Sequence, residues 1–209
     1  MDKSNFTSFE ESLLLLTGVK SQLEAAVKSL TGKDRGEDED LQWTVSNHVQ
    51  TLLCSFLDEW KIFQSLGKDT AIRDTLEITS PALRRIRSWT GLTRIRSTLL
   101  AHGQRKIDGK PAWTWDVFNS NKSPTAYGET ILLGQLAILV IRETLKRHYG
   151  DYHHAAQRLS QLYIPIKGQG LRTVGEANAV LNSIRAEMSE IAERISCLNN
   201  EPAKKRYLP

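Results

Sequence analysis

The sequence predicts an all-α protein. Three observations carry this expectation. Apolar residues recur at three- and four-residue spacing over long stretches, helix-start and helix-stop residues punctuate those stretches, and no two alternating segments flank a tight turn. Five or six helices around a core of long helices follow from the count of such stretches.

Phe6 to Leu30 reads as the first helix, with Leu13, Leu16, Val19, Leu23 and Val27 on one face. Thr7 and Glu10 have capping-box spacing, and Gly32 stops the helix. A polar and mostly acidic link, GKDRGEDED, leads to a second long helix over Leu41 to Leu66, stopped by Gly67. Thr70 to Ile78 is a short helix or turn. Ser80-Pro81 then looks like a helix start, with Ser as cap and Pro in the first turn, for a helix running to His102 with Gly103 beyond it. Gly91 weakens the middle of that helix by roughly 1 kcal/mol relative to alanine. Gly103 to Ser123 is a loop, in which Trp113 and Trp115 are expected to pin the chain to the body. Ser123-Pro124 opens a helix to about His148, Tyr152 to Leu162 forms a shorter one, and IPIKGQG breaks it. A second capping box, Thr173 with Glu176, starts a final helix over Val174 to Leu198 that carries Val180, Ile184, Met188, Ile191 and Ile195 on one side. This organisation divides the chain into an N-terminal helix and acidic link (1–40), a helical core (41–162), and a C-terminal helix with a basic tail (163–209), all within one compact domain.

A chain of 209 residues, 40% hydrophobic and 25% charged, has the composition of a water-soluble globular protein and is long enough to bury a core without covalent staples. The two cysteines, Cys54 and Cys197, are far apart and belong to no metal-binding spacing. No basic stretch followed by an apolar run opens the sequence, and the longest apolar-rich run, Ile131 to Ile141, is too short to span a bilayer. A cytoplasmic protein without a membrane partner is expected.

The net charge of +4 is unevenly placed. Between Ile78 and Ile107 there is no acid, while Arg84, Arg85, Arg87, Arg94, Arg96, Arg105 and Lys106 give a local charge of +7. The remainder of the chain therefore carries −3. Concentrated positive charge of this kind is the electrostatic footprint of a phosphate-binding surface. Within the window, Leu92, Ile95, Leu99 and His102 step by three, four and three and share one helical stripe, with Arg96 beside it. A guanidinium grips a phosphate with two hydrogen bonds, and an imidazole takes or gives a proton near neutral pH.

The segment RSTLLAH, with five residues between Arg96 and His102, resembles the signature of the HEPN superfamily: an arginine, four to six residues, and a histidine late in a helix of an all-α domain. The surrounding SPALRRIRSWTGLTRIRSTLLAHGQR is similar in character to the abortive-infection branch of that superfamily, over Ser80 to Arg105; from Leu41 to His148 the similarity is architectural only. The resemblance implies a HEPN-like helical bundle and a homodimer in which the motif helices of two subunits meet in one cleft. It also implies a metal-independent endoribonuclease without cofactor, acting as a toxin or anti-phage defence effector, with an antitoxin or nucleotidyltransferase as possible partner. Carried onto this chain, Arg96 would hold the scissile phosphate of RNA and His102 would serve as general acid or base while the ribose 2′-hydroxyl attacks. Arg87, Arg94, Arg105 and Lys106 would add attraction for RNA. Where the family usually has Asn, Asp or His after the arginine, this chain has Ser97, which still donates and accepts a hydrogen bond but is shorter. The alternative is a catalytically degenerate HEPN-like module that binds RNA, a nucleotide or a protein without cutting.

Other residues with chemical capacity have simpler readings. His148, Asp151, His153 and His154 are metal-ligand types, yet Gly150 can end one helix and Asp151 cap the next. Arg142 with His148, and Arg147 with His153, repeat the Arg–His spacing by chance. Asp58 and Glu59 have the chemistry of general acid or base groups, but fit better the wet side of an amphipathic helix or an ion pair with a motif arginine, and Lys204, Lys205 and Arg206 make a basic tail.

Overall fold

In the computed structural model the described residues are 6–32, 39–67, 69–92, 106–107, 110–111, 122–162, 170 and 173–200. They form six α-helices: α1 (Ser8–Thr31), α2 (Glu39–Ser65), α3 (Thr70–Arg87), α4 (Tyr127–Arg147), α5 (Tyr149–Leu162) and α6 (Val174–Asn200). The all-α bundle expected from the sequence is present. A two-residue antiparallel pairing, Lys106 with Pro111 and Ile107 with Lys110, is a small addition that residue patterning did not reveal. The chain divides into two compact units, residues 1–162 and 163–209.

In the first unit α1, α2 and α4 pack on one another, α3 lies against α4, and α5 lies against α1. The predicted stripe of α1 is the buried one, with Leu13, Leu16, Leu23 and Val27 inside. Its Thr7–Glu10 capping box is formed: the Thr7 hydroxyl accepts from the Glu10 N–H at 3.2 Å and the Glu10 carboxylate accepts from the Thr7 N–H at 2.9 Å. From α2, Phe56, Trp60 and Phe63 supply the largest buried side chains, Trp60 stacking on Phe63 with ring centroids 5.0 Å apart. Gly134 of α4 faces side chains of both α1 and α2. A Cβ built there would sit 2.7 Å from Cγ2 of Val27 and 3.4 Å from Cγ1 of Val49.

Four predicted boundaries are corrected. Ser80-Pro81 does not start a helix: α3 begins at Thr70, capped by Asp69, whose carboxylate accepts from the Ala71 N–H at 2.8 Å, and Pro81 lies inside it. The buried stripe Ile72, Thr75, Thr79, Leu83 and Ile86 runs unbroken past the proline, so burial against α4 outweighs the one lost backbone bond. The helix then ends at Arg87, with Ser88 as its C-cap, and Ser80 to His102 is not one continuous helix. Local propensity at Trp89-Thr90-Gly91 prevails over the apolar stepping that continues through it. Likewise, Ser123-Pro124 does not open α4, which starts at Tyr127. The Ser123 side chain is buried and its hydroxyl donates to Oε1 of Gln50 at 3.3 Å, a tertiary role that takes it away from capping. Finally, α5 begins at Tyr149, with Gly150 and Asp151 in its first turn; the break falls at His148, not at Gly150.

In the second unit, α6 begins with the predicted capping box, Thr173 and Glu176 exchanging hydrogen bonds of 3.1 and 3.2 Å.

Candidate functional site

Arg94, Arg96, Ser97, His102 and Arg105, together with Trp113 and Trp115, lie outside the described residues. What is described is the frame that carries them. Leu92 is buried in the bundle core, and the N–H of the preceding Gly91 donates to the carbonyl oxygen of Lys122 at 2.7 Å. Just beyond Lys122, Gln50 of α2 holds the returning chain: its side-chain amide donates to the Pro124 carbonyl at 3.1 Å and accepts from the Ser123 hydroxyl. Gln50 is itself buried. The described residues that flank the Arg96–His102 segment therefore meet at one point, and that point is fastened to α2.

Directly before the segment, α3 presents three of the seven cations of the acid-free window, and all three are exposed. Their partners differ. The guanidinium of Arg85 reaches both carboxylate oxygens of Glu129, each at 2.7 Å. The indole N–H of Trp89 donates to the same carboxylate at 2.7 Å. The basic window does have an acid, supplied by α4 rather than by its own stretch of sequence. Arg87 donates to the neutral amide oxygen of Gln64 at 2.7 Å and keeps its full charge, and Arg84 makes a long contact of 3.4 Å with the Ser80 hydroxyl. Of the RNA-binding residues expected from the sequence, Arg87 thus meets no acid among the described residues, and the Lys106 backbone takes part in the short antiparallel pairing.

The competing histidines have structural surroundings. His148 is 6% exposed and wedged against Phe9 and Phe63, with ring centroids 5.1 and 6.0 Å away. Its Nε2 lies 3.0 Å from Oγ1 of Thr75. The same hydroxyl lies 2.8 Å from the Ala71 carbonyl oxygen and accepts from Nε of Arg147 at 3.3 Å, so the imidazole edge is held in a polar cluster at the end of α4. Burial pushes the His148 imidazole below the usual histidine range; Asp151 and Asp69 pull the other way and Arg147 adds to the depression. Arg142 is committed to Glu24 of α1, so neither member of that Arg–His pair is available as a phosphate grip with an acid–base partner. His153 and His154 are exposed, and His153 stacks on Tyr149 at 5.5 Å. Among the described residues no three His, Cys, Asp or Glu side chains come together as a metal site. Glu59 accepts from the Ser12 hydroxyl at 2.7 Å and so ties α2 to α1.

Sequence reasoning missed Gln50, Trp89 and Glu129. The Gln50–Pro124 contact joins residues 74 positions apart and Trp89–Glu129 joins residues 40 apart, beyond the reach of any local pattern.

The described residues define a helical-bundle protein, and no helix among them is long and apolar enough to cross a membrane. Comparison with family models, curated proteins and solved structures gives no match.

Proposed function

We propose that this chain is a metal-independent endoribonuclease of HEPN type, acting as a cytoplasmic homodimer in toxin or anti-phage defence. The observation that carries the reading is the Arg96–His102 pair, five residues apart within a stretch free of acids. Two structural facts support it: the residues flanking the segment are joined by the Gly91–Lys122 bond, and Arg87 next to it in the chain meets no acid among the described residues. In the proposed mechanism Arg96 neutralises the scissile phosphate. One copy of His102 removes the proton of the 2′-hydroxyl, whose oxygen attacks phosphorus, and the second copy returns a proton to the departing 5′-oxygen. The products are a 2′,3′-cyclic phosphate and a free 5′-hydroxyl. An antitoxin or a nucleotidyltransferase is the expected protein partner. Incubation of the purified protein with total RNA in EDTA tests the proposal: fragments ending in cyclic phosphate are expected, and His102→Ala abolishes them while leaving the helical circular-dichroism signal intact. Equal cutting by this variant removes His102 from the mechanism.

Ser97 favours a second reading, a HEPN-like module that binds RNA, a nucleotide or a protein without cutting, because its side chain is shorter than those the family usually places there. Salt-dependent RNA binding without cyclic-phosphate products selects this reading in the same experiment.

A further inference from the structure

Every described side chain of α6 is exposed, including Val174 at 78%, Leu181 at 45%, Ile184 at 47%, Met188 at 64% and Ile191 at 46%. The helix is 27 residues long. A helix of this length with a bare apolar stripe gains most of its stability from packing that stripe against something. The stripe has a sharper period than an ordinary amphipathic helix. Val174, Leu181, Met188 and Ile195 recur every seven residues, and Ala177, Ile184, Ile191 and Leu198 recur in the same way three positions later. These are the a and d positions of four consecutive heptads, the sequence pattern of a coiled coil.

The flanking charges decide what lies on the stripe. The g positions include Glu187 and Arg194, both exposed. In a parallel pair each g residue faces the e residue of the next heptad, which sets Val180 against Arg185, position 187 against 192, and 194 against 199, with no ion pair. In an antiparallel pair g faces g. One alignment, with its core layers centred between residues 189 and 190, brings Glu187 of one copy beside Arg194 of the other, and by symmetry does so twice. It also sets Met188 opposite Ile191 in the two central layers, with Leu181 and Ile184 facing register positions 198 and 195. The alignment one heptad away would place Glu187 against its own copy. Charge complementarity thus selects one partner and one orientation.

We propose that α6 is a dimerisation element that pairs antiparallel with α6 of a second copy of this chain through the Leu181–Ile184–Met188–Ile191 stripe. This stripe shares no residue with the motif segment of the proposed nuclease, and its test reads mass, not cleavage. Sedimentation of the full-length chain at tens of micromolar is expected to give a dimer. Met188→Asp, at an exposed position, is expected to weaken self-association at least tenfold with an unchanged thermal transition of the bundle. Glu187→Arg alone and Arg194→Glu alone each weaken the dimer about tenfold, and the double exchange restores it. His102→Ala leaves the dimer intact whether or not RNA is cut. A monomeric wild type overturns the proposal, as does self-association insensitive to Met188→Asp. Dissociation by Met188→Asp without recovery in the double exchange overturns the antiparallel alignment.

Discussion

Nε2 of His148 meets Oγ1 of Thr75 at 3.0 Å, joining the α4–α5 junction to the buried stripe of α3. The imidazole is packed between aromatic rings, and its charged form is disfavoured there by burial. The folded-state pKa is therefore below the value of 6.5 that applies when the chain is unfolded. The stability contributed by the neutral ring is fully present above 6.5 and is lost as pH falls from there through the folded pKa, because the unfolded chain binds the proton first. Urea midpoints measured between pH 7.5 and 5.5 are expected to fall in wild type and to stay nearly level in His148→Gln. The carboxylates of Glu10 and Glu24 act in a lower window. Hydrogen bonds from Thr7 in one case, and from Lys20 and Arg142 in the other, hold them below the usual value of 4.5, so their contribution is lost only as pH falls further. An equal acid slope in the variant between pH 7.5 and 5.5 would exclude His148 as its source.

Gly134→Ala tests the close approach of α1, α2 and α4. Alanine favours the helix by about 1 kcal/mol, but its Cβ meets Cγ2 of Val27 at 2.7 Å, a distance at which the buried Val27 side chain or its helix must shift. Overpacking of this kind costs about 1–3 kcal/mol, so a net destabilisation of about 1–2 kcal/mol is expected. In a double-mutant cycle with Val27→Ala the pair is expected to cost less than the two single changes together. Strict additivity would show that Val27 is not what the new methyl meets.

Glu129 joins an exposed ion pair to a half-buried indole. Glu129→Gln retains an acceptor for Trp89 and removes only the charge opposite Arg85, whose side chain is 47% exposed; a loss of no more than about 1 kcal/mol is expected. Glu129→Ala also orphans the indole N–H and is expected to cost about 1–2 kcal/mol. Equal thermal shifts for the two variants would assign the stabilisation to the ion pair instead.

The helices were legible because their signals are local. The Leu13–Leu16–Leu23–Val27 stepping and the two Thr–Glu capping boxes lie within one or two turns and appear in the structure as written. The boundaries that shifted are those where a distant residue intervened. Ser80-Pro81 and Ser123-Pro124 have the chemistry of helix starts, yet α4 draws the first into a longer helix and Gln50 draws the second into a buried clamp. The same limit applies to charge. The acid-free window is visible in the sequence, but the compensation of Arg85 by Glu129 depends on the α3–α4 contact, and the full charge of Arg87 depends on meeting a neutral Gln64 from α2.

That difference separates two neighbouring arginines in the proposed RNA complex. Arg85 is already neutralised by Glu129, and a phosphate would have to displace a carboxylate held by two hydrogen bonds of 2.7 Å. Arg87 gives up only an amide oxygen, so its charge is available for counterion release. Arg87→Gln is expected to weaken RNA binding across sequences and to reduce the slope of log affinity against log salt by about 0.7 for a single-stranded ligand. Arg85→Gln is expected to leave that slope nearly unchanged and to lower thermal stability instead. Binding isotherms at three salt concentrations distinguish the two. Equal slope changes would mean that the Arg85–Glu129 pair opens on binding, and an unchanged slope in Arg87→Gln would place the phosphate path away from the end of α3.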